Sequence, residues 1–179
     1  CLKSKIKFQS IQSQRRLYSE NNLGIGQNVT EKILQNFSDS QLDRPIQAGD
    51  FVYVQPWRVM THDNTAPVIS KFNKLYKKLN VSNPKVFNNQ QLMFALDHDV
   101  QSLNQANMDK FAKIKQFAQQ QGVAFHEAGR GIGHQIMIEE GFAFPQTLAV
   151  ASDSHSNMYG GIGCLGTPIV RTDACAVWA

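Results

Sequence analysis

Cysteine is scarce in this chain of 179 residues. It holds three, Cys1, Cys164 and Cys175, and no C-x-x-C pair. That spacing excludes a disulfide framework and the paired-cysteine signature of a zinc site. It leaves Cys164 and Cys175 as small thiols of the kind that cores bury. Long apolar runs are absent too, so no segment of the sequence is long enough to span a bilayer. Acid is missing from one region. None precedes Glu20, while Lys3, Lys5, Lys7, Arg15 and Arg16 supply five positive charges. The net charge is +4, so everything from Glu20 onward sums to one negative charge. The basicity belongs to the opening segment and not to a nucleic-acid-binding face. There is no internal repeat.

The acid-free opening carries serines at 4, 10 and 13 and scatters Leu2, Ile6, Phe8 and Ile11 between its charges. This is the composition of a mitochondrial transit peptide over residues 1–18. RRLYS resembles a processing site cut after Tyr18. A basic arm for RNA or lipid is the competing reading, but the segment lacks glycine-rich or aromatic nucleic-acid features. Matrix localisation, with the mitochondrial import and processing machinery as partners, is the expectation. Residues 19–28 read as a linker, and 29–179 as one α/β domain. The chain begins with Cys1 and ends in a helical pattern at Ala179, which reads as a fragment of something longer.

Past the linker, Val29, Ile33, Leu34 and Phe37 recur at helical spacing, with Thr30 as the expected N-cap. Phe51 to Val54 reads as a strand. Pro67 is placed to open a helix bearing Val68, Ile69, Phe72 and Leu75 on one face. Leu92 to Leu96 reads as a buried strand. Met108, Phe111, Ile114 and Phe117 mark an amphipathic helix that ends at Gly122. Val123 to Phe125 and Thr147 to Ala151 read as strands. Between them GRGIGHQIMIEEG sets a glycine loop before a helical turn. Thr167-Pro168 has the N-cap and N1 pattern of a last helix. Strands alternate with helices, which predicts an α/β fold.

Imidazoles recur where such strands end: THD at 61–63, DHD at 97–99, GIGH at 131–134 and DSH at 153–155. Open α/β sheets bind ligands just beyond the carboxyl ends of their strands, so four similar placements predict one site. His126 lacks the pattern and reads as structural. Asp153, Ser154 and His155 are not expected to form a hydrolase triad. Neighbours on an extended segment point to opposite sides, and triad members come from separate parts of a chain. Pairing at a distance is expected instead, with Asp153 orienting His134 and Asp97 or Asp99 orienting His98. A carboxylate beside an imidazole fixes its tautomer and suits general acid chemistry.

Gly161, Gly163 and Gly166 match G-x-G-x-x-G, a dinucleotide fingerprint that would make the chain a nicotinamide-dependent oxidoreductase. The match is weak, because Ser152 to Gly160 separate it from its strand. The plainer reading is a tight turn beside a small anionic ligand near a helix N-terminus.

Four segments, GDFVYVQPWRVMTHDNTAP, ALDHDVQ, AGRGIGHQIMIEEGFAFP and ASDSHSNMYGGIGCLGTPIVRTDACAVWA, together resemble the aconitase superfamily, in particular its homoaconitate-hydrating branch of fungal lysine biosynthesis. The resemblance implies a hydro-lyase that interconverts homoaconitate and homoisocitrate, a small tricarboxylic acid as substrate, and a [4Fe-4S] cluster in the full-length enzyme. It implies that Asp97 and His98 protonate the departing hydroxyl, that His134 and Asp153 form a supporting pair, and that Ser154 contacts a substrate carboxylate. His155 is implied to pair with an acid further along the chain, and His62 to touch substrate where aconitase itself has glutamine. The cluster cysteines of the family lie beyond Ala179, so this chain is expected to hold no cluster and to be inactive alone. A non-catalytic remnant is the other alternative.

Overall fold

The computed structural model describes residues 26–40 and 42–179. The transit-peptide reading of residues 1–18, and most of the 19–28 linker, lie outside the described residues. The chain divides between Gln55 and Pro56 into two units.

The first unit contains helix α1 (Val29–Phe37). Its N-cap is Asn28, not Thr30. Glu31 N–H donates to Asn28 Oδ1 at 3.0 Å, and Asn28 N–H donates to Glu31 Oε2 at 2.8 Å. This capping box satisfies two orphan donors at once. Thr30 has Ile33 three residues on and could not close one. The strand expected over 51–54 does not form. Only Val54 pairs, in an isolated antiparallel bridge to Ser38. Phe51 and Tyr53 are exposed and pack edge to face on each other, so the alternating pattern there faces no core.

The second unit is a five-stranded sheet of β1 (Arg58–Thr61), β2 (Leu92–Ala95), β3 (Ala124–His126), β4 (Leu148–Ala151) and β5 (Leu165–Pro168). The order is β3-β2-β1-β4-β5 and every pairing is parallel. The helices are α2 (Thr65–Lys78), α3 (Gln105–Gln121), α4 (Gly133–Glu139) and α5 (Arg171–Trp178), with a 3-10 helix over Ser156–Ile162. This is the α/β class that the alternation predicts. Among the described residues no helix is long and apolar enough to cross a membrane.

Both faces of the sheet are covered, which is how parallel sheets occur. Side chains alternate across strands. Val59, Leu92 and Phe94 therefore join Val68, Phe72, Ile114, Phe117 and Trp178 in one core, and Met60, Met93 and Ala95 join Ile136, Met137, Ala149 and Tyr159 in the other. Phe94 and Trp178 pack with ring centroids 5.0 Å apart. Fully burying a side chain of this kind contributes about 1.5–3 kcal/mol, so α5 holds to the sheet through its last residue.

Two local expectations fail for identifiable reasons. Helix α2 begins at Thr65, so Pro67 sits third in its first turn, where its missing N–H still costs nothing. Thr167-Pro168 does not open a helix. It ends β5, with Thr167 opposite Val150 and Pro168 opposite Ala151, and the last helix starts only at Arg171. The glycine fingerprint fails with it. Gly160 and Gly161 lie in the 3-10 helix, and Gly166 lies in a strand, so the strand–turn–helix order that a dinucleotide site needs is not there. The helix expected to open at Thr167 beside these glycines begins only at Arg171. A Cβ on Gly166 would lie 2.0 Å from Ser156 O. That glycine is required so that β5 can pack against the 3-10 turn.

The strand order sets the position of everything that follows. The chain winds outward from β1 to β3, then returns to β4 on the other side of β1. The crevice of an open α/β sheet opens at such a reversal, here between the carboxyl ends of β1 and β4.

Candidate active site

Three strand ends meet at that reversal. β1 delivers His62, Asp63 and Asn64; β2 delivers Asp97, His98 and Asp99; β4 delivers Ser152 to His155. The β1 and β4 ends are stitched across the reversal. Ser152 N–H donates to Met60 O at 3.0 Å. Ser152 O accepts from both His62 Nε2 and Asn64 Nδ2, each at 2.9 Å, and Ser152 Oγ donates to Asn64 Oδ1 at 2.9 Å.

Asp97 and His98 are bonded to each other. His98 Nδ1–H donates to Asp97 Oδ1 at 2.6 Å, and Asp97 Oδ2 accepts from Gly133 N–H at 2.6 Å. Each carboxylate oxygen thus has a donor, and with Nδ1–H committed to Asp97 the ring presents Nε2 to the crevice. Gly133 is needed for this approach. A Cβ there would stand 2.9 Å from Asp97 Oδ2 and 3.1 Å from Met60 Sδ.

Asp153 is the hub. Its Oδ1 accepts from His134 Nε2 and from His155 N–H, both at 2.8 Å. Its Oδ2 stands 3.3 Å from His98 Nε2 and 4.0 Å from His62 Nε2. Behind His134, the buried Tyr159 hydroxyl lies 2.8 Å from Nδ1, so in the neutral ring it donates there while Nε2–H serves Asp153. Burial raises the Tyr159 pKa and keeps that hydroxyl protonated. Burial also opposes ionisation of Asp153, but the hydrogen bonds from His155 N–H and His134 outweigh it and hold its pKa at about 2.

His62 and His98 stack face to face, with ring centroids 4.0 Å apart and planes 21° apart. Their proton affinities are driven in opposite directions. Burial, and then the neighbouring His98 charge, lower the His62 pKa. For His98 burial also works downward, but the bond and charge of Asp97, then the charges of Asp153 and Asp63, win and raise its pKa. Environments that push neighbouring titratable groups apart in this way separate acid from base in a site, and here the higher proton affinity falls on His98.

The structure therefore brings together His62, Asp97, His98, His134 and Asp153. Ser154 and His155 stand at the same rim but are exposed. The segment 152–155 is a turn, not extended, and Ser154 Oγ comes within 3.4 Å of His155 Nδ1, which the extended-segment argument did not anticipate. His126 closes β3 away from the hub, beside Glu140 at 3.5 Å.

Sequence reasoning missed two residues. One is Tyr159, whose contact with His134 spans 25 positions. The other is Asp63, buried at 8% exposure, whose carboxylate accepts from the main-chain N–H groups of Asp97 (3.1 Å), His98 (3.1 Å) and Asp99 (2.5 Å). Its only signal in the sequence is an acid directly after His62 at a strand end.

Ligand atoms of His62, Asp97 and His98 lie within 4.8 Å of one another, close enough to invite a cation. Their commitments argue against one. Both Asp97 oxygens are occupied, His62 Nε2–H is given to a carbonyl, and stacked imidazoles direct their in-plane lone pairs side by side instead of toward a common point. The group is arranged to hold a proton. The described cysteines do not fit an iron–sulfur cluster either. Cys164 and Cys175 are buried in the two separate cores on opposite faces of the sheet, and burial raises both thiol pKa values. Cluster irons need thiolates gathered in space.

Residues 31–179 match the family model described as the aconitase family (aconitate hydratase). Among curated proteins the chain is similar to mitochondrial homoaconitase of Mycosarcoma maydis, 56% identical over 153 residues, covering 85% of this chain and 20% of that protein. It is similar to mitochondrial homoaconitase of Yarrowia lipolytica at 55% over 156 residues, covering 87% and 22%, and to that of Emericella nidulans at 54% over 156 residues, covering 87% and 19%. The chain spans about a fifth of the length of these relatives. With the family model matched from Glu31 to the last residue, and the parallel sheet placing the matched histidines and aspartates at one crevice, the chain belongs to the aconitase family.

Proposed function

We propose that this chain carries the proton-handling side of a hydro-lyase site, in a protein that interconverts homoaconitate and homoisocitrate for lysine biosynthesis. The observation that carries the reading is the stacked His62–His98 pair over Asp97 and Asp153, with the proton affinity raised on His98 and lowered on His62. In the dehydration direction a base takes a proton from the neighbouring carbon, the electron pair of that carbon–hydrogen bond becomes the double bond, and the carbon–oxygen bond breaks so that the hydroxyl leaves as water. His98 Nε2–H supplies the proton, and Asp97, locked by Gly133 N–H, stabilises the ring through Nδ1. In the hydration direction His98 takes that proton back. Asp153 holds the ring orientation, His134 holds Asp153, and Tyr159 holds His134. His62, neutral beneath His98, and the exposed Ser154 and His155 face the substrate side of the crevice.

The names of the relatives support homoaconitate as the substrate. Family enzymes of this kind use a [4Fe-4S] cluster as a Lewis acid. The described residues provide none of its thiolates, and the roles above are those of this chain's own side chains. The relatives are named mitochondrial. Together with the acid-free basic opening, that supports import into the matrix and cleavage after Tyr18, a 29–179 catalytic segment, and import and processing machinery as partners.

The intact protein, purified anaerobically, should hydrate homoaconitate, read as loss of the ultraviolet absorbance of its conjugated double bond. A protein loaded with cluster that leaves homoaconitate unchanged would overturn this reading.

A further inference from the structure

Consecutive main-chain N–H groups at a strand end form a concavity that binds anions. In open α/β sheets a ligand anion commonly fills it. Here the concavity at Asp97, His98 and Asp99 is filled from inside the protein by the Asp63 carboxylate, at 3.1, 3.1 and 2.5 Å. Hydrogen bonds from N–H to an ionised carboxylate are roughly twice as strong as neutral ones, and this carboxylate is almost fully removed from water. Among the described residues no other side chain accepts a hydrogen bond from the 97–99 amides.

The consequence runs to His98. Its ring is exposed on one side, with half its side-chain surface open, and is held only by Asp97, Asp153 and the His62 stack. Asp97 is itself fixed by Gly133 N–H. The main chain that carries Asp97 and His98 has no regular structure, because β2 ends at Ala95. Asp63 holds the amide side of that main chain, and the buried Asn107 side chain holds its far end by donating to Asp99 O at 2.9 Å. We propose that Asp63 is a positioning residue of this site: by occupying the 97–99 cradle it sets where the His98 ring stands, and it denies that cradle to a substrate carboxylate. As a statement about catalysis this rests on the hydro-lyase reading; as a statement about geometry it does not.

The groups that face His98 are Asp63 and His62 from the end of β1, Asp97 and Asp99 beside it, and Asp153 from the end of β4. Asp99 is turned to Lys110 at 3.3 Å. Removing the Asp63 charge should lower the titration midpoint of His98, which a purely steric role would not do.

Two arms test the proposal. In the intact enzyme, Asp63→Asn keeps the size and removes the charge, while Asp63→Glu keeps the charge and displaces it by one methylene. Misplacing a catalytic group by about 1 Å costs about 10²-fold. Both variants should therefore lose kcat by about 10–100-fold with KM within about 3-fold. A Glu variant with wild-type kcat would overturn positioning in favour of charge alone. The second arm needs no turnover and no variant. In the 179-residue chain, nitrogen–carbon couplings across the hydrogen bonds should connect the Asp63 side-chain carboxyl carbon to the amides of Asp97, His98 and Asp99. Their absence would overturn the proposal even if Asp63→Asn fails to fold. Where that variant folds, an unmoved His98 titration would also overturn it. An intact wild-type enzyme without hydratase activity would sink the hydro-lyase reading alone, and the couplings would still decide the geometry.

Discussion

The loops after β2 and β4 carry nearly the same letters, DHD and DSH, and use them in opposite ways. After β2, acid and imidazole are adjacent in sequence and bond to each other, Asp97 to His98 at 2.6 Å. After β4, the acid ignores its neighbouring ring. Asp153 takes His134 from α4 and faces His98 from β2, while His155 gives it a main-chain N–H at 2.8 Å and a ring that is 81% exposed and comes no closer than 3.4 Å. The difference lies in what supports the backbone. The first loop is held from beneath by Asp63. The second turns at once into a 3-10 helix, with Ser156 Oγ donating to Asp153 O at 2.5 Å, and the turn throws His155 outward. An acid beside a histidine in sequence is therefore a pair only where the main chain lets it be one.

The comparison can be broken at its strongest point first. His98→Ala in the intact enzyme removes the ring that both loops converge on. Turnover should fall by about 10²–10⁴-fold, the usual worth of general acid catalysis, with a far smaller change in substrate binding. Steady-state kinetics on homoaconitate measures both, and turnover within a few-fold of wild type would assign the proton to another group.

Gly166→Ala attacks the platform of the second loop. Its Cβ would collide with Ser156 O, a main-chain atom that cannot swing aside. Overpacking of this kind costs about 1–3 kcal/mol and sometimes more. Denaturant unfolding of the chain should show the loss, and an unchanged midpoint would mean that β5 does not press on the 3-10 turn.

The two loops should also answer pH with opposite signs. Asp153 has its pKa lowered on folding, so its contribution to stability is present above its ordinary value near pH 4 and is lost as pH falls toward about 2. His98 has its pKa raised, so its contribution is complete below about pH 6.5 and is lost as pH rises through the folded value. Asp153→Asn should flatten the acid limb of a stability profile and shrink the loss above neutrality without abolishing it, because Asp153 supplies part of the charge that raises His98 and Asp97 supplies the larger part. A variant whose acid limb matches wild type would show that Asp153 is not held by its hydrogen bonds.

The smallest effect is expected at His155. Its side chain is mostly in water, and substitutions at such positions usually change stability by less than about 0.5 kcal/mol. His155→Ala in this chain should unfold with the wild type. A larger loss would mean that its 3.4 Å approach to Asp153 matters to the fold.

The sequence made the α/β class and the rim of histidines legible because both rest on local signals, apolar periodicity and strand-end placement. Leu92 to Ala95 and Leu148 to Ala151 fall within the segments that their β-rich runs predict. Helix α3 ends at Gln121, just before Gly122. What was not legible depends on partners far along the chain. Thr167-Pro168 has the letters of a helix start, but Thr147 to Ala151 claims it as a strand partner. Phe51 to Val54 alternates like a strand and finds one bridge. The Asp153–His134 pairing could be anticipated, since both groups sit at strand and loop ends. Asp63 could not, because a side chain that bonds only to main chain leaves no complementary residue type to look for.

Among the described residues β5 borders the sheet, and its main chain decides what could pair there. Leu165 N–H and Ile169 N–H both turn inward to β4, at 2.8 and 2.9 Å, so by alternation Gly166 and Pro168 face the open side. Proline has no N–H to offer. A foreign strand laid along this border would find a single donor, at Gly166, before the ladder stopped. The Thr-Pro that imitates a helix start thus acts as a stop against edge-to-edge aggregation, one of the means by which sheets avoid growing into one another.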